Sequence, residues 1–381
     1  MIFTTTVLTD QEMRVIEKID RIRKTLKYAL SEPSRWYGFL RRSSFARAIR
    51  GSNSIEGFNV TAEDALAAVD GGEPTDAEQE AWEAVKGYRN AMTYVLQLAT
   101  DEHFSYSEGL LRSLHYMMLH YDLTKHPGRW RPGPIYVNDE KKKEIVYEGP
   151  DAEMVPGLMK ELVESLNAQN NHVPVMARAA MSHLNLAMIH PFSDGNGRMA
   201  RCLQTLALAR EGILSPEFCS IEEYLGDDTQ AYYDVLAEVG RGAWHPENDV
   251  RPWIRFCLTA HFRQASTLLR RSKETKRVWD LLDVEVKRHG LPDRMVGALV
   301  NAAFGLRIKN TNYRIAADVS ENVASRDLKE LVDSGLLIAS GEKRGRYYEA
   351  STPIRSIRER CREPKENIDP FTHESLRLPG M

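Results

Sequence analysis

The sequence predicts a mainly α-helical protein in which a helical bundle carries one β-hairpin and is followed by a winged helix-turn-helix. Three observations favour this class. Apolar residues recur at helical spacing along most of the chain, one central stretch has two β-type runs, and the pattern changes near residue 272. The predicted organisation is an N-terminal helical region at 1–100, a core at 101–270, the winged helix-turn-helix at 271–352 and a polar tail at 353–381.

The first predicted helix shows the apolar pattern most clearly. Within residues 11–30, Val15, Ile19, Ile22 and Leu26 lie on one stripe, and charged residues occupy the other faces. Glycine, proline and asparagine separate the helical patterns that follow. These patterns cover residues 62–69, 76–99, 107–121, 151–167, 174–189, 197–211, 229–239 and 250–270.

Residues 134–150, PIYVNDEKKKEIVYEGP, interrupt the helical pattern. Ile135 to Val137 and Ile145 to Tyr147 are short β-branched and aromatic runs on either side of a charged turn, which predicts a hairpin. Two strands alone are marginally stable in water. We therefore expect the hairpin to lie against the helical body, with one edge exposed.

The C-terminal pattern predicts the winged helix-turn-helix. Two short helices, at 313–318 and 322–334, precede a hairpin with Gly341 and Gly345 at its turn. Such a unit suggests DNA binding, but residues 321–350 contain five basic and six acidic side chains. Because phosphate contacts dominate DNA affinity, a protein-interaction or dimerisation module is favoured, although the wing GEKRGR is basic.

Composition limits the localisation and the partners. The 381 residues are 42% hydrophobic and 28% charged, with a formal net charge of -3, which is typical of a soluble globular protein without overall attraction to nucleic acid. No apolar run has the length of a membrane span, and the first residues lack a signal-peptide pattern, so we expect a cytoplasmic protein. The four cysteines are far apart and are expected to be reduced packing residues.

The segment HPFSDGNGRMAR, residues 190–201, connects two predicted helices. A helix start exposes unpaired N–H groups and a partial positive charge, and glycines let phosphates approach them. The Gly-Asn-Gly at 195–197 is therefore predicted to bind an anion. Arg198 and Arg201 are three residues apart, so both point to one side of the new helix and favour phosphate oxygens.

Two further side chains of this segment indicate chemistry. An aspartate beside an anion site, Asp194, is explained if it binds Mg²⁺, which bridges carboxylate and phosphates. His190 is placed to accept a proton from an attacking hydroxyl. His183 and His190 form only a weak transition-metal pattern because no third ligand accompanies them. A Rossmann phosphate loop is excluded because a helix, not a strand, precedes the glycines.

The twelve residues resemble the signature of the Fic (filamentation induced by cAMP) family, His-Pro-Phe-x-Asp/Glu-Gly-Asn-Gly-Arg-x-x-Arg. The resemblance spans about residues 30–265 and implies a Fic-type helical bundle and the transfer of AMP from ATP to a protein hydroxyl. It implies functional roles for His190, Asp194, Gly195, Asn196, Gly197, Arg198 and Arg201. Among these, His190 is the implied base, Asp194 the Mg²⁺ ligand and Arg201 the partner of the γ-phosphate. Phosphorylating relatives carry lysine where Gly197 stands, which argues against that branch.

Upstream, Ser52-x-x-x-Glu56-Gly57 resembles the inhibitory motif of one class of Fic proteins. A carboxylate that reaches Arg201 would occupy the guanidinium that the γ-phosphate needs. The alternative is that Asn53 and Glu56 cap the start of a helix. In some relatives this glutamate also positions a water that removes AMP, so the resemblance leaves both addition and removal open.

The hairpin and a pair of tyrosines extend the resemblance. Ile135, Tyr136 and Val137 resemble the family's flap, whose edge pairs with an extended segment of the target protein. A surface hairpin without function is the alternative. Tyr232 and Tyr233 match a pair that flanks adenine in relatives, and the alternative is that one of them is core.

Two classes of function follow. The first is a protein adenylyltransferase that uses Mg²⁺ and ATP to modify a target protein or itself. The second is a DNA-binding transcription regulator whose Fic-like part senses a nucleotide. Phosphocholine or another nucleotide as the donor stays open, and so does a homodimer, because helical relatives often self-associate.

Overall fold

The computed structural model describes residues 1–31, 35–139, 143–168, 172–212, 214–342, 345–365 and 368–372. The helices before the central segment, and the hairpin that lies among them, are α1 Asp10–Ala29, α2 Arg35–Ile55, α3 Ala62–Asp70, α4 Gln79–Leu98, α5 Glu108–Leu119, β1 Tyr136–Asp139, β2 Glu144–Glu148 and α6 Val155–Asn167. The central helices are α7 Val175–Ile189, α8 Asn196–Ala209, α9 Pro216–Cys219, α10 Glu222–Asp227, α11 Thr229–Gly240 and α12 Arg251–Arg288. The C-terminal elements are α13 Val296–Ala303, α14 Asn310–Ala317, α15 Glu321–Asp333, β3 Leu337–Ser340, β4 Tyr347–Ala350 and α16 Thr352–Arg360.

Helices α7 and α8 form the centre of the bundle because they are buried on nearly every side. Leu184 and Met188 of α7 belong to one apolar core, which α1 and α12 complete, whereas Leu186 and Ile189 belong to a second core with α4, α5 and α6. Burying one such side chain stabilises a fold by about 1.5 to 3 kcal/mol. The two cores therefore hold the loop between α7 and α8 from both sides.

The predicted helical segments are confirmed, but α2 was not among them. Small and polar residues, including Ser44, Gly51 and Ser52, fill much of its buried surface, so its apolar stripe is weak. Gly51 is required there, because a Cβ would lie 2.8 Å from the Cα of Glu223 in α10. This close contact fixes the last turns of α2 on the bundle.

The predicted hairpin is confirmed and lies against the helical body as expected. Tyr147 of β2 is buried in the first core, and its hydroxyl donates to the carbonyl of Met188 at 2.8 Å. Strand β1 begins at Tyr136, one residue later than the predicted run, with an irregularity after Val137. The charged turn at 140–142 lies outside the described residues.

The C-terminal unit, residues 278–361, is built on a third apolar core. Helix α12 runs through position 271 without a break, and its Val278 and Leu282 pack with Leu299 of α13 and Leu328 of α15. Strands β3 and β4 then form an antiparallel pair. Two of the wing residues, at 343 and 344, lie outside the described residues, and the winged helix-turn-helix stays a prediction.

The first part of the predicted polar tail, which begins at residue 353, is helical in the structure. Residues 352–360 form α16, in which Ile354 and Ile357 are buried against the third core. Their spacing of three places both on one face, and this short apolar pair was overlooked in a charged segment. Among the described residues, no helix is both long and apolar enough to cross a membrane.

Candidate active site

The signature loop, residues 190–195, joins the end of α7 to the start of α8. His190 ends α7 in the left-handed conformation, with φ 51° and ψ 57°. The Asn196 side chain closes the loop, because its Oδ1 accepts from the N–H of Phe192 and its Nδ2 donates to the carbonyl of Phe192, both at 2.9 Å. Asn196 thus shapes the loop, which leaves anion contact to the backbone N–H groups at the helix start.

The ring of His190 has a defined proton arrangement. Its Nδ1 lies 3.0 Å from the carbonyl oxygen of Ala187. Because a carbonyl can only accept, Nδ1 carries the proton and the lone pair is on Nε2. Burial lowers the pKa of His190 below its usual value, so the ring is neutral at pH 7. A neutral imidazole with a free Nε2 is a competent general base.

His115 of α5 supports the signature loop and was missed by sequence reasoning. Its Nδ1 accepts from the N–H of Gly128 at 2.8 Å, so Nε2 carries the proton and donates to the carbonyl of Asp194 at 2.9 Å. The ring stacks on Phe192 with centroids 3.7 Å apart. Burial lowers the pKa of His115 to about 4, which keeps this neutral form. Its partners are distant backbone groups, and no sequence pattern signals them.

Arg198 is the least satisfied side chain of the site. It is fully buried, at 0% exposure, and none of its three guanidinium nitrogens has a hydrogen-bond partner. Its Nη2 lies 3.9 Å from Oδ1 of Asp194, and its guanidinium lies over the ring of Phe58 at 5.2 Å. Burying a charge without hydrogen bonds costs several kcal/mol. An anion with several oxygen acceptors would supply the missing partners.

Arg201, one turn further along α8, is instead bonded from α2 through two of its three guanidinium nitrogens, whereas its Nη1 has no hydrogen-bond partner. Its Nε donates to Oγ of Ser52 at 2.8 Å, and its Nη2 donates to the Ser52 carbonyl at 3.0 Å and to Oε1 of Glu56 at 2.6 Å. Burial alone would lower the pKa of Arg201, but the Glu56 carboxylate holds it above its usual value. Arg201 therefore stays charged, and Glu56 is its ion-pair partner.

The segment 52–58 leaves the C-terminal end of α2, which excludes the alternative that Asn53 and Glu56 cap a helix start. The N–H groups of Glu56 and Phe58 both donate to the carbonyl of Asn53, at 3.1 and 3.0 Å, and Gly57 turns the chain with φ 84°. A Cβ at Gly197 would collide with the Glu56 carboxylate. Glycine at 197 is thus what lets Glu56 reach Arg201.

Asp194 is the one predicted metal ligand. Its Oδ1 accepts from the N–H of Gly195 at 2.6 Å, and its Oδ2 lies 3.4 Å from Nζ of Lys125. The described residues contain no group of three or more His, Cys, Asp or Glu side chains that could hold a metal ion. Mg²⁺, however, is often bound by a single carboxylate together with substrate phosphates and waters, and Asp194 fits that kind of site.

The two tyrosines of the predicted adenine site lie in different environments. Tyr232 is 2% exposed, and its hydroxyl donates to Nε2 of His183 at 3.0 Å. Tyr233 is 43% exposed and donates to the carbonyl of Ile55 at 3.2 Å. The structure therefore makes Tyr232 a core residue, as the alternative held, and leaves Tyr233 accessible to a ligand. His183 is also core, since its Nδ1 donates to Gln204.

The hairpin passes directly beside the signature loop. Tyr136 is exposed, Ile135 and Val137 are half-buried, and among the described residues no strand pairs with the outer edge of β1. A Cβ placed on Gly149, just after β2, would lie 3.8 Å from Cβ of His190. His190 thus lies beside the end of the hairpin, and the outer edge of β1 is open to strand addition by an extended segment among the residues described.

Residues 105–208 match the model of the Fic/DOC family. The chain is 29% identical to the protein adenylyltransferase Fic of Nematostella vectensis over 257 residues, which are 65% of this chain and 53% of that protein. It is 32% identical to the protein adenylyltransferase Fic of Aedes aegypti over 159 residues, which are 40% of this chain and 29% of that protein. The matched regions thus span about half or less of these relatives.

Solved structures share the fold. A Fic family protein from Desulfovibrio desulfuricans G20 is 22% identical, with a TM-score of 0.58 over 91% of this chain and 98% of that chain. A Fic domain containing signaling protein from Bacteroides thetaiotaomicron VPI-5482 is also 22% identical, with a TM-score of 0.55 over 67% of this chain and 97% of that chain. The Fic-type helical fold is therefore established for this chain.

Proposed function

We propose that the chain is a protein adenylyltransferase, because residues 105–208 match the model of the Fic/DOC family and its relatives carry that name. It transfers AMP from ATP to a hydroxyl side chain of a target protein or of itself. The observation that carries the proposal is the buried Arg198, which has no hydrogen-bond partner and lies at a glycine-flanked helix start. Phosphate oxygens are the acceptors that such a site favours.

The reaction takes place at the α-phosphorus. The hydroxyl oxygen of the target forms a bond to that phosphorus, and the bond to the oxygen that bridges the β-phosphate breaks. Pyrophosphate leaves with the electron pair of that bond, and the hydroxyl proton passes to Nε2 of His190. The N–H groups at the start of α8 and the Arg198 guanidinium stabilise the charge that develops on the phosphate oxygens.

Asp194 would hold Mg²⁺ against the phosphates. The ion supplies charge neutralisation, which offsets the repulsion between the Asp194 carboxylate and the nucleotide. Lys125 now lies 3.4 Å from Oδ2 of Asp194 and compensates part of the same negative charge.

Glu56 inhibits the enzyme in this proposal. Its carboxylate occupies Nη2 of Arg201, the group assigned to the γ-phosphate, at 2.6 Å. ATP that binds beside Glu56 has its γ-phosphate displaced, so its α-phosphate is misaligned for attack. The Glu56 side chain keeps 26% exposure, which places it in contact with solvent. It is therefore also suited to orient a water that attacks the phosphorus of an AMP-modified protein and releases AMP.

Intact mass after incubation with MgATP tests the function. The experiment compares four proteins: the wild type, Glu56→Gly, the double variant Glu56→Gly/His190→Ala and a surface control, Glu164→Gly. We expect only Glu56→Gly to gain the mass of AMP, because it alone combines a free Arg201 with a general base. The mass added also identifies the donor, since phosphocholine or another nucleotide gives a different increment.

A negative mass result is followed by calorimetry with MgATP. Binding to Glu56→Gly without self-modification directs the search to a separate target protein. If Glu56→Gly neither gains mass nor binds ATP, the transferase proposal is rejected, and the DNA-binding regulator is tested by salt-dependent retardation of duplex DNA.

A further inference from the structure

We propose that Arg131 is a positioning residue that joins the hairpin to His190, so that the bound target segment and the general base keep a fixed separation. This inference rests on the proposed function, because it assigns the hairpin edge to the target. Arg131 is not part of the signature loop and lies in PGRWRPG, residues 127–133, a segment that leads into the hairpin and is expected to shape the mouth of the nucleotide site.

The contacts of Arg131 reach two parts of the site at once. Its Nε donates to the carbonyl of His190 at 2.8 Å, and its backbone N–H donates to the carbonyl of Pro191 at 2.9 Å. Its Nη1 donates to the carbonyl of Gly133 at 2.6 Å, and its Nη2 donates to the carbonyl of Pro150. Gly133 and Pro150 flank the two strands of the hairpin, one on each side. One guanidinium thus connects both ends of the hairpin to the backbone of His190, the general base.

The arrangement needs the shape of arginine. Arg131 is 4% exposed, and the structure describes no ion pair between it and an acidic side chain, so its planar fork is used entirely on backbone carbonyls. Lysine has one ammonium group and cannot donate in these separate directions. Removing the guanidinium leaves buried carbonyls without donors, which destabilises the local structure wherever water cannot reach them.

Two further contacts make the hairpin and the loop a single rigid piece around Arg131. The N–H of Gly149 donates to the carbonyl of Ile135 at 3.1 Å, which closes the base of the hairpin. The hydroxyl of Tyr147 donates to the carbonyl of Met188, two residues before His190. Arg131 lies beside the first of these contacts, since a Cβ on Gly149 would be 3.4 Å from its Nη2.

The contact between Arg131 and His190 matters for the chemistry because the backbone of His190 is in the left-handed conformation. This conformation is strained for a residue that has a side chain, and it must be held in place by its surroundings. Arg131 bonds the His190 carbonyl directly. Without it, the imidazole and the hairpin edge are free to shift relative to each other. A misplacement of about 1 Å lowers a rate by roughly 100-fold.

The test compares Arg131→Met and Arg131→Lys with Arg210→Met, all in the Glu56→Gly background. Arg210 is a matched control, since its Nη1 also donates to three backbone carbonyls, those of Leu98, Ala99 and Asp101, away from the site. We expect Arg131→Met to lower the maximal rate of AMP transfer by about 100-fold with little change in the apparent KM for ATP. Arg131→Lys should lose roughly tenfold, and Arg210→Met should keep the rate.

Hydrogen exchange gives a readout that does not need activity. In Arg131→Met, amides in 144–150 and in 187–196 should exchange faster together, whereas Arg210→Met leaves both unchanged. The inference is overturned if the transfer rate of Arg131→Met equals that of its parent, or if only one of the two segments loosens. If Glu56→Gly neither binds ATP nor transfers AMP, the proposed function fails, and joint loosening still supports Arg131 as the connection between hairpin and loop.

Discussion

Arg198 and Arg201 lie one turn apart on α8 and are equally buried, yet only Arg201 has hydrogen-bond partners. Under the proposed function, Arg198 binds the nucleotide and Arg201 is the group that Glu56 regulates. An unsatisfied buried cation destabilises the fold that contains it, and such groups persist where function requires them. The stability of variants at the two positions should therefore change in opposite directions.

Arg198→Met is expected to raise the free energy of unfolding by about 1 to 4 kcal/mol, because it replaces a buried charge that has no hydrogen bond, and only a 3.9 Å contact with Asp194, by an apolar side chain. Arg201→Met should lower it, since Glu56 and Ser52 lose their partner. In the Glu56→Gly background, Arg198→Met should bind ATP at least about tenfold more weakly. Urea unfolding and calorimetry measure both effects. A destabilised Arg198→Met would contradict the prediction and show that the contacts of the guanidinium with Asp194 and Phe58 stabilise the fold.

His115 predicts a dependence of stability on pH. Burial lowers its pKa to about 4, below the ordinary value of about 6.5, so the unfolded chain binds more protons between these values. The stability from His115 is complete above pH 6.5 and is lost as the pH falls toward 4. At pH 5 the loss is about 2 kcal/mol. Denaturant unfolding at pH 7 and pH 5 should show a smaller difference for His115→Gln than for the wild type. An unchanged difference would contradict the prediction.

At the scale of elements, the end of α2 is held by a chain of polar groups behind Arg201. Arg201 donates to Ser52, the side chains of Ser52 and Tyr88 are hydrogen-bonded, and the Tyr88 hydroxyl donates to Oε1 of the buried Glu222 at 2.8 Å. The other carboxylate oxygen of Glu222 has no partner. Glu222 therefore anchors this series of hydrogen bonds. The series orients Ser52, and Ser52 in turn helps to fix the position of Glu56.

Tyr88→Phe should weaken this anchor. We expect a loss of about 1 to 3 kcal/mol in unfolding free energy, together with tighter MgATP binding, because the end of α2 leaves Arg201 more readily. Tyr313→Phe is the matched control, since its hydroxyl donates to the buried Asp327 at 2.8 Å within the C-terminal unit. Equal effects of the two variants on ATP affinity would contradict a specific role of Tyr88.

Sequence reasoning succeeded for elements that combine apolar periodicity with strong end signals. Helices α7 and α8 and the loop between them are examples, because the pattern, Pro191 and the glycines agree. It failed for α2, whose contacts require small residues such as Gly51 rather than an apolar stripe. Arg131 was also missed, since its bonds to backbone carbonyls depend on tertiary structure and have no signature in the chain.

At the scale of the whole molecule, α12 connects parts that the sequence predicts to be separate domains. Its N-terminal half contributes Trp253 and Ile254 to the first core, and its C-terminal half contributes Val278 and Leu282 to the third. The C-terminal unit also reaches the region beside α3, where Arg307 pairs with Asp76 at 2.5 Å. Unfolding of one part therefore removes support from the other.

Calorimetry should accordingly record one cooperative transition. Leu282→Ala removes a buried side chain from the third core, at a cost of about 2 to 5 kcal/mol, and should lower the temperature of the entire transition. Multidomain proteins ordinarily do not unfold in a single two-state transition. A single transition is therefore expected here only because the two parts share α12. Two resolved transitions, of which Leu282→Ala shifts only one, would show that the parts unfold independently.

The contact between Glu56 and Arg201 joins positions that are 145 residues apart in the chain. In the genetic code a single base change converts a glutamate codon to a glycine codon. Under the proposed function, an uninhibited transferase therefore lies one mutation away in every replicating population that carries this gene. If uncontrolled AMP transfer harms the cell, such mutants are eliminated in each generation, and survivors of the Glu56→Gly change should carry second mutations that disable His190 or Arg198.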